Sequence, residues 1–581
     1  MTLKVKKFKR QDFDKIKETY ISKGKLFRDP EFPIDYQHLA DTDVFTSLDD
    51  TSSPNIEWLR PKAICAKLNI EEGPKMFVGE FDRFDINQGA IGNCWLLAAL
   101  ANLAENKDCF NMVVPPNQSF QKGDYRGIFR FRFWVFGQWK EVVIDDRLPT
   151  LNGKLIYLTS SVKNEFWSAL LEKAYAKLYG SYKALTGGLT VDAAVDFTGG
   201  IPERLEVKDF EKDPQILFSI MSKADAGGAF MGCALKNEYN DFLGLLAGHA
   251  YTLNKVMEIK CPGILGGIPL VRLRNPHGNH NEWKGDWSDG DKHWELIPKR
   301  IKRKLKLICH HDGEFYMSFR DFMKYFLSLE ICHLSPKAME GVHSEGITEF
   351  EHFQYSGEWK KDVSAPGVRD LGKRFENPQF FVQIPHFDDS SLAPVIISLY
   401  QKQKDRKTSQ SIGFALYKCP PDLKQLDSKF FKRNSVMARS NSYSNLRECT
   451  KRLTLASGKY CIMPLTLEPG IESKFLLRIY VPQGRGNSHH GEFTRLVSLN
   501  SQASVEETSE LYADSTDSSK IRYYSKKSEK NHVPFSKMVS KANVKNQSKV
   551  ERPKSTYAWE TEGDAELRLL KNIVRAMQAK E

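Results

Sequence analysis

The sequence lacks the features of a membrane-spanning or secreted protein. No apolar run approaches the roughly 20 residues that a helix needs to cross a bilayer. The basic N-terminal stretch, MTLKVKKFKRQDFDK, is not followed by an apolar segment, so we expect no secretory signal. The 10 cysteines contain no CxxC pair and no spacing typical of a small disulfide scaffold. We therefore expect reduced thiols and a cytoplasmic location.

Internal repeats and a strong charge imbalance are also missing. A net charge of +12 over 581 residues is modest and does not by itself indicate a nucleic-acid partner, and we expect none. Hydrophobic residues make up 41% of the chain and aromatic residues 12%, which is typical of a globular protein. The length predicts several folded units rather than one core.

Composition divides the chain into four parts. Residues 1–55 are polar with short helical signals, and residues 56–335 are dense in tryptophan, glycine and long apolar segments. Residues 340–484 contain short strand-like segments separated by turns, which predicts an all-β sandwich. Beyond residue 484 the chain is rich in Ser, Lys, Asn and Glu, which predicts disorder. The last segment, DAELRLLKNIVRAMQAK, is amphipathic; we favour a marginal helix over a partner-binding motif.

Local periodicity inside residues 56–335 predicts a mixture of helices and strands. GNCWLLAALANLAEN and NEFWSALLEKAYAKLYGSY have apolar residues at helical spacing. Between them, GIFRFRFWVFGQWKEVVIDDRLP alternates with period two on both sides of a glycine turn at Gly137. The fold class expected for the whole chain is therefore α+β, followed by a β-sandwich.

One cysteine stands in a context suited to a nucleophile. The stretch from Gln88 to Trp95 runs through a glycine-rich loop into Cys94, which opens an apolar helix. A helix N-terminus favours the thiolate over the thiol. The amide of Gln88 can reach the same point and donate to an oxyanion, together with the Cys94 backbone N–H. An isolated cysteine is more often a buried core residue, but this context favours catalysis.

A thiolate nucleophile needs a base and a group that orients the base. His249 lies in a glycine-flanked turn before the strand-like YTLNKVMEI, and Asn275 ends the strand-like LVRLRN just before a proline. An asparagine oxygen there can accept a hydrogen bond from the imidazole and fix its tautomer. Among 14 histidines this choice would be weak alone, but the order Gln, Cys, His, Asn is that of papain-like proteases.

These motifs and many others give the chain a resemblance to calpains. The resemblance runs from LFRDPEFP to KFLLRIYVP, about four-fifths of the chain. Segments that resemble the calpain protease core are QGAIGNCWLLAAL, DDRLPT, NEFWSALLEKAYAKLYGSY, DFTGG, GHAYTL, RNPHG, DGEFYMSFRDFMKYF and LEICHLSP. Segments that resemble the calpain C2-like sandwich are GEWKKDVSAPG, NPQFFVQI, SIGFALY and NLRECTKRLTLASGKYCIMP.

The resemblance implies a papain-like, two-lobed protease core followed by a C2-like antiparallel β-sandwich. The implied units are an N-terminal anchor region (1–55), a Cys lobe (56–200), a His/Asn lobe (201–336), the sandwich (337–484) and a low-complexity tail (485–581). It implies a calcium-dependent cysteine endopeptidase that makes limited cuts in cytoskeletal or signalling proteins. Its catalytic residues would be Cys94, His249 and Asn275, with Gln88 as the oxyanion donor.

Calcium binding is predicted only by the resemblance to calpains. Calpain lobes each carry a calcium site that is not an EF-hand, and binding brings the lobes together. The matching positions are Val78 and Glu80, through backbone oxygens, with Asp85 and Glu165 in the first lobe, and Glu282, Asp289, Asp312 and Glu314 in the second. Most acidic residues are solvated surface groups, but all five matching side-chain ligands (Asp85, Glu165, Glu282, Asp289 and Asp312) are acidic, which favours two calcium ions. Arg83 and Glu314 match an ion pair that links the two sites.

Several positions depart from the family. His277 follows Asn275-Pro276 where calpains usually have tryptophan, so we expect a looser inactive state. Asn93 replaces an aspartate before the nucleophile, and the acidic loop of the sandwich is reduced to Asp388 and Asp389. The tail has no EF-hand loop motif, so we expect a monomer without a small subunit, as an atypical calpain or a shortened isoform.

Other interpretations stay open at this stage. The basic run from Pro298 to Lys306 fits a solvated helix face better than a nuclear-import or phosphate-binding segment. A catalytically weak scaffold of calpain descent is disfavoured because all four catalytic positions are present. A calcium- and lipid-binding adaptor that contacts membranes through the sandwich is the other alternative.

Overall fold

The computed structural model describes most of the chain up to the end of the sandwich. It covers residues 4–482 without 36–37, 40–55, 80, 124, 240–242, 261–266, 279–281, 305–311, 337–349, 371, 385–391, 404–408, 441–442 and 444. Glu80, Asp388, Asp389 and the predicted tail therefore lie outside the described residues.

The first part of the chain combines helices with two small sheets. Its elements are β1 (Val5–Lys7), α1 (Phe13–Ser22), β2 (Ile56–Leu59), α2 (Pro61–Lys67), α3 (Cys94–Ala104), α4 (Lys107–Val113), β3 (Ile128–Val135), β4 (Gln138–Asp145), β5 (Leu148–Leu151), β6 (Lys154–Leu155), α5 (Trp167–Tyr179) and α6 (Thr190–Thr198). The sheets have the orders β1-β4-β3 and β2-β5-β6. Every residue of α3 except Asn102 is buried, so this helix is the centre of the first core.

The second part is built around one larger sheet. Its elements are β7 (Ile201–Glu206), α7 (Pro214–Ala226), β8 (Phe230–Leu235), β9 (Ala250–Ile259), β10 (Ile268–Arg274), α8 (Lys299–Lys304), β11 (Glu314–Ser318), α9 (Phe319–Tyr325) and β12 (Phe326–His333). The six strands have the order β11-β10-β9-β8-β12-β7. Side chains of α7, β8, β9 and β12 form a separate hydrophobic core, so the two parts are two lobes.

The third part is a sandwich of two four-stranded sheets. Its elements are β13 (Phe350–Trp359), β14 (Phe380–Ile384), β15 (Leu392–Gln401), β16 (Ile412–Cys419), α10 (Ser428–Arg433), β17 (Ala438–Arg439), β18 (Glu448–Ala456), β19 (Gly458–Thr466) and β20 (Ser473–Pro482). The orders are β13-β20-β15-β18 and β14-β19-β16-β17, and every pairing is antiparallel. Inward-facing side chains of both sheets share one core.

These observations confirm the predicted α+β class with a following β-sandwich. The predicted hairpin is formed by β3 and β4, and both turn residues, Phe136 and Gly137, have positive φ. The N-terminal region is less separate than its predicted boundary implies. β1 pairs in parallel with β4, and the Phe27 N–H donates to the Arg126 carbonyl at 2.8 Å. The five domain boundaries therefore stay predictions.

Three buried or half-buried arginines of the sandwich contact the lobes where they join. Arg447 donates to Asp196 of α6 at 2.9 Å, and Arg478 donates to the carbonyl of Gly199 at 3.0 Å. Arg452 forms an ion pair with Glu203 of β7. The sandwich thus contacts the end of one lobe, the start of the other and the glycine between them.

The described residues include no helix that combines the length and the apolar composition needed to span a bilayer.

Candidate active site

Cys94 is the first residue of α3 and lies at the junction of the lobes. The preceding Asn93 does not cap the helix; its side-chain amide donates instead to Glu172 Oε1 at 2.7 Å. Burial raises the pKa of the Cys94 thiol, while a hydrogen bond from the backbone N–H of Ala250 lowers it. The sulfur of Cys94 therefore contacts the backbone of Ala250, the residue that follows the predicted base His249. Burial also raises the pKa of Glu172 to about 8.

The imidazole of His249 is bonded to Asn275. His249 Nε2 lies 2.7 Å from Asn275 Oδ1, and the same oxygen accepts from the His277 backbone N–H at 3.0 Å. An amide oxygen is only an acceptor, so Nε2 carries the proton and donates. The second ring nitrogen, Nδ1, is then left with a lone pair that can take a proton from a thiol.

Burial governs the charge of this base. Burial, with a smaller contribution from His277, lowers the pKa of His249 to about 3, while the bond to Asn275 acts in the opposite direction. Buried charges are costly singly but stabilise each other when they are opposite and close. We therefore expect thiolate and imidazolium to appear together, by transfer of one proton from Cys94 to His249.

Gln88 lies in the loop before α3, and one N–H of its side-chain amide is hydrogen-bonded within that loop. Its Nε2 donates to the Ile91 carbonyl at 2.8 Å, which fixes the side chain against its own loop. A primary amide nitrogen has two N–H groups, so one donor remains. This donor and the backbone N–H of Cys94 are the pair predicted for an oxyanion.

The two lobes contact each other around the site. The Gln88 backbone N–H donates to the Pro276 carbonyl at 3.2 Å, and the Arg274 guanidinium donates to the Ile86 carbonyl at 3.3 Å. The Arg83–Glu314 ion pair expected from the sequence is also present. The structure therefore has the nucleophile lobe closed onto the base lobe.

The first predicted calcium set brings two carboxylates to one hydroxyl. Ser160 Oγ lies 2.8 Å from Glu165 Oε2 and 3.5 Å from Asp85 Oδ1, and the Val78 N–H donates to Glu165 at 2.6 Å. Burial, with a smaller contribution from the charge of Asp85, raises the pKa of Glu165 to about 7. Two buried carboxylates that repel each other fit a hard cation with oxygen ligands.

The second predicted set is spread over two loops. Glu282 Oε1 accepts from the Gly313 N–H at 2.8 Å, and Asp312 Oδ1 accepts from the Glu314 N–H at 2.9 Å. Both carboxylate oxygens of Asp289 are shielded from solvent. These are all oxygen donors, as calcium requires, but their ligand atoms do not converge on one point in the described structure. The set stays a prediction.

Glu314 has a different role in the structure from that of a simple ligand. Its carboxylate binds Arg83, Arg272 and the side-chain amide of Asn254. A contact from this side chain to calcium would require one of these partners to be given up.

The sequence reasoning missed one possible ligand cluster and one ring contact. Ligand atoms of Asp286, Asp291 and His293 lie within 4.8 Å of one another, in the loop that carries Asp289. The sequence signal was there, since the three residues fall within eight positions. The ring of His277 stacks on that of His249, with centroids 4.6 Å apart and planes 11° apart.

Comparison with known proteins matches two parts of the chain to family models. Residues 27–333 match the family model described as calpain family cysteine protease. Residues 355–480 match the model described as calpain large subunit, domain III.

Curated relatives cover most of this chain. Calpain-B of Drosophila melanogaster is 42% identical over 81% of this chain and 51% of its own length. Calpain-8 of Rattus norvegicus is 40% identical over 82% of this chain and 68% of its own length. The calpain-1 catalytic subunit of Bos taurus is 39% identical over 83% of this chain and 68% of its own length. The chain thus spans about half to two-thirds of the length of these relatives. It belongs to the calpain family of cysteine proteases.

Proposed function

We propose that the chain is a calcium-dependent cysteine endopeptidase that makes limited cuts in protein substrates. The observation that carries the proposal is the 2.7 Å contact between His249 Nε2 and Asn275 Oδ1, while the backbone of Ala250, next to His249 in the chain, contacts the sulfur of Cys94. This contact fixes the tautomer that leaves Nδ1 available as a base. A cytoplasmic site of action is supported by buried thiols such as Cys65, Cys109 and Cys233.

The proposed reaction uses one proton and one nucleophile. Cys94 passes its proton to His249 Nδ1, and the thiolate adds to the scissile carbonyl carbon. The oxyanion accepts hydrogen bonds from the Cys94 backbone N–H and the free N–H of Gln88. His249 returns the proton to the leaving amine, and the resulting thioester is hydrolysed by a water molecule that His249 deprotonates. Asn275 keeps the imidazole in one tautomer throughout.

Calcium has a conformational role in this proposal. Bound calcium supplies positive charge that offsets the repulsion between Asp85 and Glu165 and among the carboxylates of the second set. Without that charge, repulsion is expected to open these loops and separate Cys94 from His249. The Arg83–Glu314 pair joins the two loop regions, so ordering of one favours ordering of the other.

The test is cleavage of casein and of a fluorogenic peptide across a calcium titration. We expect wild-type activity only with calcium, and a loss of at least about 10³-fold in Cys94→Ser. Cys419→Ala, which removes a buried thiol of the sandwich, is the matched control and should keep the wild-type rate. Full activity in chelator would refute the calcium switch, and cleavage by Cys94→Ser would refute the nucleophile.

A further inference from the structure

His277 contacts both the catalytic base, His249, and the residue that orients it, Asn275. Its ring lies nearly parallel to that of His249, at a centroid distance of 4.6 Å and an interplanar angle of 11°. Its backbone N–H donates at 3.0 Å to Asn275 Oδ1, the oxygen that accepts from His249. His277 therefore packs against the face of the His249 ring and also binds Asn275, which orients that ring. Unlike a hydrocarbon ring, this second imidazole can take up a proton.

We propose that His277 is a positioning residue for His249 and that its protonation switches the base off in mild acid. The neutral ring packs on His249 without charge and leaves it able to accept the proton of Cys94. The protonated ring would place a second positive charge against the face of the imidazolium that catalysis requires. This inference rests on the proposed cysteine-protease function.

The surroundings favour a neutral His277 near neutral pH. The side chain is half-buried, and burial lowers its pKa below the ordinary histidine range. The guanidinium of Arg274 is a neighbouring cation, because its Nη2 lies 3.6 Å from the position that a Cβ would take on Gly278, the next residue in the chain. Arg274 stays cationic although burial lowers its pKa to about 10.

Among the residues that the structure describes, the other titratable groups around the two rings do not provide a countercharge. Tyr251 of β9 presents its ring to His249 edge-on, 5.2 Å away, and burial raises its pKa. Glu330 of β12 acts on the Cys94 thiol, where it opposes the thiolate. The reaction itself forms one anion next to the two imidazoles, the thiolate of Cys94. One thiolate can balance the charge of one imidazolium but not the charges of two.

The sign of the pH effect follows from this charge balance. Above the pKa of His277 its ring is neutral, and the ion pair of Cys94 and His249 can form. As the pH falls through that pKa, His277 becomes charged and the imidazolium of His249 is disfavoured, so the ion pair is lost. Thiols paired with histidine in papain-like sites have a pKa of roughly 3–4. Protonation of His277 therefore lowers activity at a higher pH than protonation of the Cys94 thiolate would.

The experiment compares pH profiles of full-length variants with saturating calcium. The variants are His277→Phe and His277→Trp, which keep an aromatic ring but cannot be protonated. The matched control is His352→Phe, because His352 stacks on Tyr480 in the sandwich with planes 1° apart, away from the site. Two readouts are measured from about pH 5 to 8, where histidine titrates. One is kcat/KM on a fluorogenic peptide, and the other is the rate of Cys94 alkylation by iodoacetamide, located by peptide mass spectrometry.

We expect both His277 variants to lower the acid midpoint of both profiles by about one pH unit or more, while His352→Phe leaves them unchanged. Coincident midpoints for wild type and whichever aromatic variant folds would overturn the inference, because a purely structural ring contact has no titration. The alkylation profile keeps the two claims distinct. If the wild type never cleaves peptide, the proposed function fails, and the shift in alkylation still decides the role of His277.

Discussion

At the scale of single residues, the chemistry depends on which atom donates each hydrogen bond. Asn275 Oδ1 accepts from two N–H groups, so the tautomer of His249 follows from geometry rather than from an assumption. Gln88 is held in the same way, because its bond to the Ile91 carbonyl occupies one N–H and leaves the other as a donor. Both side chains are fixed before a substrate binds, which is the condition for electrostatic catalysis.

Gln88→Ala should lower kcat by about 10²–10³-fold and change KM little, because an oxyanion donor acts mainly on the transition state. Steady-state kinetics on a fluorogenic peptide measures both constants. Gln121→Ala removes an exposed amide of the same lobe and is the control that should match the wild type. If Gln88→Ala instead raises KM by a similar factor and leaves kcat unchanged, this side chain would be assigned to substrate binding.

The sequence was sufficient to name these residues but not their packing. Glycine two residues before Cys94 and next to His249, and proline after Asn275, mark loops and element ends, which local composition reveals. The stack of His277 on His249 involves residues 28 positions apart and depends on how two loops of one lobe meet. The Asn93–Glu172 bond likewise joins α3 to α5 through tertiary packing. No local pattern encodes such contacts.

At the scale of elements, the sandwich and the second lobe are joined by a buried carboxylate. Glu203 of β7 accepts from His333 of β12 at 2.8 Å and forms an ion pair with Arg452 of β18. Burial by itself raises the pKa of Glu203, but Arg452 and His333 outweigh burial and lower the pKa to about 2. The charged form is therefore stabilised by folding.

This pKa predicts how stability depends on pH. Because folding lowers the pKa of Glu203, its carboxylate stabilises the folded state at pH values above the unfolded pKa of 4.5. This stabilisation is lost as the pH falls toward about 2. The full contribution is about 3 kcal/mol, from the difference between the two pKa values. Urea unfolding of wild type and Glu203→Gln at pH values across that window measures it. The variant should be less stable at neutral pH and lose less on acidification.

Glu468→Gln provides the control, because Glu468 is exposed in its pair with Arg369. Exposed pairs contribute little, so this variant should follow the wild type. Parallel acid dependence in wild type and Glu203→Gln would contradict the assignment of this stability to the β7–β18 contact.

The elements themselves differ in how well their sequence predicts them. Helices α3 and α5 and the β3–β4 hairpin have clear periodicity, and the structure contains them where it was expected. Strands β13 and β18 have a weaker local signal, because FEHFQYSGEW and ECTKRLTLA interleave polar and charged residues with few apolar ones. Their side chains are covered partly by pairing with β20 and β15, which the local sequence does not show.

At the scale of the whole molecule, the sandwich contacts the point where the lobes would hinge. Arg447 binds Asp196 at the end of the first lobe, and Arg478 donates to the carbonyls of Gly199 and Gly200 between the lobes. Removing one partner of a buried ion pair typically costs 3–5 kcal/mol, so these contacts restrain the chain at the junction. If the lobes open and close as proposed, that movement must be accommodated near Gly199 and Gly200, which the sandwich binds.

The central claim is that closure of the lobes joins Cys94 to a working base. The most direct measurement is reaction of the full chain with a peptidyl chloromethyl ketone, with calcium or with chelator, followed by peptide mapping. Cys94 should be the modified cysteine among the 10 in the sequence, in calcium only, and His249→Ala should abolish the adduct. Equal labelling of His249→Ala, or labelling of Cys94 at the same rate in chelator, would contradict the account.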